Sequence, residues 1–168
     1  AVNDVNPDSP WNGGIWTFTT GNFLVVDDFE SYLDVLDEGK AIFDTWKDGW
    51  QDEANGSIVG NDESPFATDP ITAAHGGNQL MPLRYDNTTA QFSEAKRTWE
   101  EPQDWTVNSF NVVRLFIAGK TWNVPGLLYI TLEDDGGTAA TVEQDIADEL
   151  LLDTWSEVEL SFSDFSDV

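Results

Sequence analysis

A chain of 168 residues carries 32 Asp and Glu against 7 Lys and Arg, a formal charge of −25, which makes nucleic acid and anionic membrane poor partners because counterion release would oppose binding. Its apolar content of 40 %, with 8 Trp and 10 Phe, supports a buried core and excludes a disordered acidic tail. The absence of cysteine removes disulfides, thiolate zinc sites and cysteine nucleophiles, and no apolar run approaches the ~20 residues of a membrane span.

In chain order, Asn6-Pro7-Asp8-Ser9-Pro10 reads as a loop. Trp11 to Thr20 reads as a turn into one strand, Ile15–Thr19, with Trp16 and Phe18 on one face. A lone strand cannot bury its own face and must pair with something. The run Trp16-Thr17-Phe18-Thr19-Thr20 resembles the closing strand of fibronectin type III-like modules in large secreted bacterial proteins. Together with a start at Ala1 and the lack of a signal-peptide pattern, this implies a processed chain or a fragment of a longer protein. An acidic extracellular or cell-surface protein is the expected setting.

Period-two alternation then predicts strands at Phe23–Phe29, Gln79–Tyr85, Phe92–Trp99, Asn111–Ala118, Leu127–Leu132 and Thr154–Phe162. Leu115 and Ile117, Leu128 and Ile130, and Val158 and Leu160 fall on the core phase of the last three. Asp134-Asp135-Gly136-Gly137 is a predicted hairpin turn needing positive φ. Val142–Leu152 offers either a helix through Ile146, Leu150 and Leu151 or a loop with one turn. Many short strands between Gly, Asn and Asp turns indicate an all-β sandwich or jelly roll.

From Phe23 onward a series of motifs appears in order: Val26-Asp27-Asp28-Phe29-Glu30-Ser31-Tyr32, Thr45-Trp46-Lys47-Asp48-Gly49, Asn55-Gly56-Ser57, His75-Gly76-Gly77-Asn78-Gln79, Tyr85-Asp86-Asn87, Ser93 to Thr98, and Gln103-Asp104-Trp105-Thr106. The succession resembles a jelly-roll module of secreted bacterial polysaccharide-handling proteins and is similar at its start to the family 11 carbohydrate-binding modules. The resemblance implies a jelly-roll β-sandwich of two antiparallel sheets over residues 21–168, preceded by the strand of residues 1–20. It also implies binding of a polysaccharide or glycan. A structural calcium is implied at Glu30 with Asp28 and backbone oxygens near Asn78. A contrasting loop, Asp52–Glu63, has the length of an EF-hand but places Ala54 and Gly56 at ligand positions and is rejected. Modules of this kind continue for two more strands where this chain reaches Phe165-Ser166-Asp167-Val168. A spare N-terminal strand beside an open sheet edge opens an alternative, a subunit of an extracellular assembly or filament. There, identical chains would exchange strands through Trp16 and Phe18.

The acidity is uneven. Residues 1–83 carry 15 acids and 2 bases and residues 121–168 carry 12 acids and no base, whereas residues 84–120 carry five of each. Sugars stack apolar C–H faces on aromatic rings and offer hydroxyls to polar side chains. The ligand candidates in or beside the balanced segment are therefore Arg84, Tyr85, Arg97, Trp99, Trp105, Arg114, Trp122 and Tyr129. Trp46, Trp105 and Trp155 are expected in core or edge packing, and Trp122 exposed in a polar loop. Arg114 and Tyr129 fall on the non-core phase of adjacent strands. For catalysis the only imidazole is His75, in a turn, and nucleophile-elbow, zincin and phosphate-loop motifs are absent from the sequence. A non-catalytic module is expected. Asn55-Gly56-Ser57 and Asn87-Thr88-Thr89 match the glycosylation sequon.

Overall fold

A computed structural model describes residues 23–50, 52–106 and 109–165. The strand expected at Ile15–Thr19, with Trp16 and Phe18, lies outside the described residues. Among the described residues strand outweighs helix, 27 % against 8 %, which is all-β in character. Eight strands among them pair antiparallel two by two. β1 (Trp46–Lys47) pairs with β4 (Lys96–Arg97), and β2 (Ser57–Val59) with β3 (Leu83–Tyr85). β5 (Val112–Ile117) pairs with β8 (Ser156–Ser161), and β6 (Leu127–Glu133) with β7 (Ala139–Asp145). The helical elements described include one turn, α1 (Ile42–Thr45), and 3-10 turns at Glu149–Leu151 and Phe162–Asp164.

The C-terminal half follows its alternation. Leu115 faces Val158 across the β5–β8 ladder, and Ile130 faces Val142 across β6–β7. The inward faces of both ladders share one apolar cluster. Ile146, Val158, Leu160 and Phe165 are buried there, with Leu115, Ile117, Leu128, Ile130 and Leu132 packed around them. Asp134–Gly137 makes the expected hairpin: Gly137 takes φ +82°, and Asp134 exchanges backbone hydrogen bonds with Gly137 and Thr138. Over Val142–Leu152, Val142–Asp145 is strand, which neither alternative expected, and the loop with one turn holds only beyond it, at the 3-10 turn Glu149–Leu151.

The N-terminal half departs from its alternation. Phe23–Phe29 forms no strand, Gln79–Tyr85 is strand only from Leu83, and Phe92–Trp99 only at Lys96–Arg97. The physical reason is visible in the hydrogen bonds. Side-chain oxygens, rather than ladder carbonyls, take up backbone N–H groups: Asp27 accepts from Phe29, Asp34 from Phe66, Asp48 from Val59, and Asp69 from Ile71 and Thr72. A backbone satisfied in this way needs no strand partner and can turn freely around a core. That core gathers Tyr32, Ala41, Ile42, Val59, Phe66 and Ala67, with Phe29, Phe43, Trp46 and Met81 against it.

Two seams join the halves. Along the outer side of β6, the Tyr85 hydroxyl donates to the Val124 carbonyl (2.9 Å), Tyr129 donates to Glu94 (3.1 Å), and Lys96 pairs with Glu133 (2.6 Å). Elsewhere Lys120 donates to Asp69 (2.8 Å) and Thr72 (2.6 Å), and Trp155 donates to the Ala73 carbonyl (2.9 Å). His75, expected as a turn residue, stacks on Phe116 with ring centres 3.8 Å apart.

Candidate functional site

The predicted ligand residues divide into three settings. Arg97 belongs to an internal network. Its guanidinium pairs with Asp27, donates to the Val26 carbonyl (3.1 Å) and lies 4.8 Å from the centre of the Trp99 ring. The Asp27 side chain is only 6 % exposed and also accepts from Tyr32 and from the Trp46 indole (2.8 Å). Burial first, and then the Asp27 carboxylate, push the Tyr32 phenol up to about 12. Trp99 in turn meets Trp105 edge-on at 5.5 Å. These groups are satisfied by one another and by the fold.

Two further candidates sit in charged or polar contacts. Arg114 lies exposed between Glu157 (3.3 Å) and Glu159 (2.7 Å) of the neighbouring strand β8. Tyr129 is on β6, in a different ladder from Arg114, and its phenol is also pushed up to about 12, by burial and then by the Glu94 carboxylate. A third group is open to solvent. Trp122 is 68 % exposed and Tyr85 37 % exposed. The Tyr85–Val124 hydrogen bond brings the loop of Trp122 against the end of β3. Arg84, next along β3, pairs with Asp62 (2.6 Å) with both side chains exposed.

The metal candidates also come together. Glu30 Oε1 accepts the backbone N–H groups of Asn78 (2.8 Å) and Gln79 (2.7 Å), across 48 and 49 residues of sequence. Those two bonds hold the Glu30 carboxyl below its ordinary range. Gly77 passes so close, at φ +73°, that any Cβ there would strike the carboxylate. Asp28 accepts the Glu30 N–H (3.1 Å). The loop therefore turns N–H groups towards Oε1, where the resemblance implied carbonyl oxygens. Among the described residues no three His, Asp or Glu side chains converge on one point. A neutral ligand is at hand instead: Gln79 donates its amide nitrogen to the Tyr32 carbonyl (3.1 Å), and its amide oxygen is buried with no hydrogen-bond partner among the described residues. Carboxylate and amide oxygens are the ligand types that a hard cation takes. The donor set thus fits calcium in type.

Two residues of interest escaped the sequence reading. Gln79 was read only as part of a motif, because nothing in a sequence distinguishes an orphaned amide from a solvated one. Trp50, 73 % exposed, lines an open cleft. The tripeptide Asp48-Gly49-Trp50 marks a turn but not which side of it faces water. Of the two sequons, Asn55 is committed to the fold: its amide donates to the Glu94 carbonyl (3.0 Å) and accepts from Glu94 and Ser57. No family model, curated protein or solved structure matches the chain.

Proposed function

We propose that the chain is a non-catalytic jelly-roll β-sandwich that binds a polysaccharide or glycan outside the cell or at its surface, with calcium stabilising the fold. The observation that carries the glycan reading is the solvent-open pair of Tyr85 and Trp122, held in one region by the Tyr85–Val124 hydrogen bond. Exposed aromatic faces beside a polar rim suit sugar rings, and the exposed Arg84–Asp62 pair supplies both a donor and an acceptor for hydroxyls. The sandwich reading draws support from the core shared by the β5–β8 and β6–β7 ladders. Glu30 and Asp28 would hold calcium, whose positive charge would offset local carboxylate repulsion in a chain of charge −25. The test is retention of the full chain on a broad panel of immobilised polysaccharides. At least one should retain it, and Trp122→Ala should weaken that retention about tenfold. Failure to bind any of the panel overturns the reading. Calcium should raise the melting midpoint, and Glu30→Gln should abolish that rise.

A second reading, the strand-exchanged subunit, is favoured by a separate observation. Each ladder has two strands, so among the described residues the outer edges of β5 and β8 have no partner strand. Such edges accept a further strand, and Ile15–Thr19 of an identical chain is the proposed donor, with Trp16 and Phe18 inserted. A monodisperse monomer by size measurement, unchanged when residues 1–20 are deleted, would remove this reading.

A further inference from the structure

We propose that the cleft beside Trp50 is a distinct sugar-binding site that takes uncharged saccharides and rejects acidic ones. The inference rests on the carbohydrate reading and adds to it a place and a charge class. The cleft is open, has a volume of about 400 Å³, and lies between residues 49–50 and 52–56 on one side and the turn after β3 on the other. That volume is in the range of small-ligand clefts.

Its floor is backbone packed against backbone. Gly56 donates to the Phe92 carbonyl (2.7 Å) and accepts from the Asp86 N–H (2.9 Å), and a Cβ on Gly56 would collide with the Asp86 carbonyl. Trp50 stands over this floor on a pinned loop. Its N–H donates to Asp48 Oδ1 (3.0 Å), while Asp48 Oδ2 accepts from Val59 (2.7 Å) and Gly49 donates to the Ser57 carbonyl (3.0 Å). A large indole left in water beside a floor of fixed backbone offers a stacking face to a sugar ring.

The rim sets the charge class. Asp52, Glu53 and Asp86 line the cleft, and among the described residues no Lys or Arg does. Thr88 donates both its amide (2.9 Å) and its hydroxyl (2.5 Å) to one Asp86 carboxylate oxygen, which holds that carboxyl below its ordinary range. The other oxygen is left to accept ligand hydroxyls. Carboxylates accept from sugar hydroxyls and repel a uronate or sulfate. The Asn55 amide, although in the lining, is already bonded within the fold.

The experiment titrates the full chain by tryptophan fluorescence with neutral gluco-, manno- and xylo-hexasaccharides and with hexagalacturonate. The variants are Trp50→Ala, Trp50→Phe, Trp122→Ala and the double change Glu53→Gln with Asp86→Asn. At least one neutral hexasaccharide should bind. Trp50→Ala should weaken that binding about tenfold, and Trp50→Phe should recover part of it. Hexagalacturonate should bind only after the double change. An unchanged melting midpoint in Trp50→Ala shows that the loss is not unfolding. Binding that survives Trp50→Ala but is lost in Trp122→Ala overturns the cleft and leaves the glycan reading standing. Uronate bound by the unaltered chain as tightly as neutral sugar overturns the charge class. Absence of all binding at millimolar sugar ends both.

Discussion

Residues 23–106 gather their core around Ile42 with strands of two or three residues, whereas residues 109–165 gather theirs around Leu160 between ladders of six or seven. In the second region, ladder hydrogen bonds satisfy the backbone and alternate side chains are delivered to one face. In the first, Asp and Asn side chains cap the backbone, and the apolar residues arrive from loops. The buried Asp27, with Arg97, Tyr32 and Trp46 around it, does for the N-terminal half what a cross-strand apolar pair does for the other. The lesson is that an acidic composition need not be all surface. Some carboxylates here replace strand partners.

That contrast is open to direct tests. The largest effect is expected from Asp27→Ala, which leaves the Arg97 charge and two aromatic donors unpaired in a site only 6 % exposed. A cost of about 3–5 kcal/mol in denaturant unfolding is expected, and a cost within error would mean that the network does not hold this half. Leu160→Ala, at 1 % exposure in the ladder core, should cost about 2–5 kcal/mol. Leu115→Ala, only partly buried in the same cluster, should cost less. A null effect at both would mean that the inward phase is wrong.

The smallest effects are those of pH. The Tyr32 and Tyr129 phenols are raised from 10 to about 12 in the folded chain. Their contribution is complete below pH 10 and is lost as pH climbs through about 12, so stability should fall over that window. Tyr129→Phe should flatten part of the fall, and an unaltered alkaline limb would remove the Glu94 contact as a cause. Glu30 works in the opposite direction. Its folded value lies below the unfolded one, so its contribution is present above the ordinary carboxylate range and is lost in acid. Glu30→Gln should therefore reduce acid sensitivity.

Legibility followed the same division. Val112–Ile117, Leu127–Glu133 and Ser156–Ser161 were readable because a strand with one buried face repeats every two residues. Phe23–Phe29 carries a comparable apolar pattern yet forms no strand, because Asp27 directs its carboxylate into the fold and onto the Phe29 amide. The meeting of Glu30 with Asn78 followed from the motif resemblance and is present in the structure, but with amide hydrogens facing the carboxylate. Arg97 and Trp99 had the right chemistry for a ligand, and only burial shows that Asp27 is their partner.

The strand Ala139–Asp145 and the pairing of β5 with β8 and of β6 with β7 were not legible in the sequence. Composition and alternation by themselves determined an acidic, strand-rich chain, three of its C-terminal strands with their inward phase, and the hairpin turn at Asp134–Gly137. These are local properties: side-chain direction is set by the neighbouring peptide and turn chemistry by two or three residues. The tertiary structure alone decided which carboxylates replace ladder partners, that Trp50 remains in water, and that the Gln79 amide oxygen is left without a partner among the described residues. Several of those depend on groups tens of residues apart meeting in space, as Asp34 meets Phe66 and Gln79 meets Tyr32. The energy of a charge or an indole there is set by its neighbours in space and not by its neighbours in the chain.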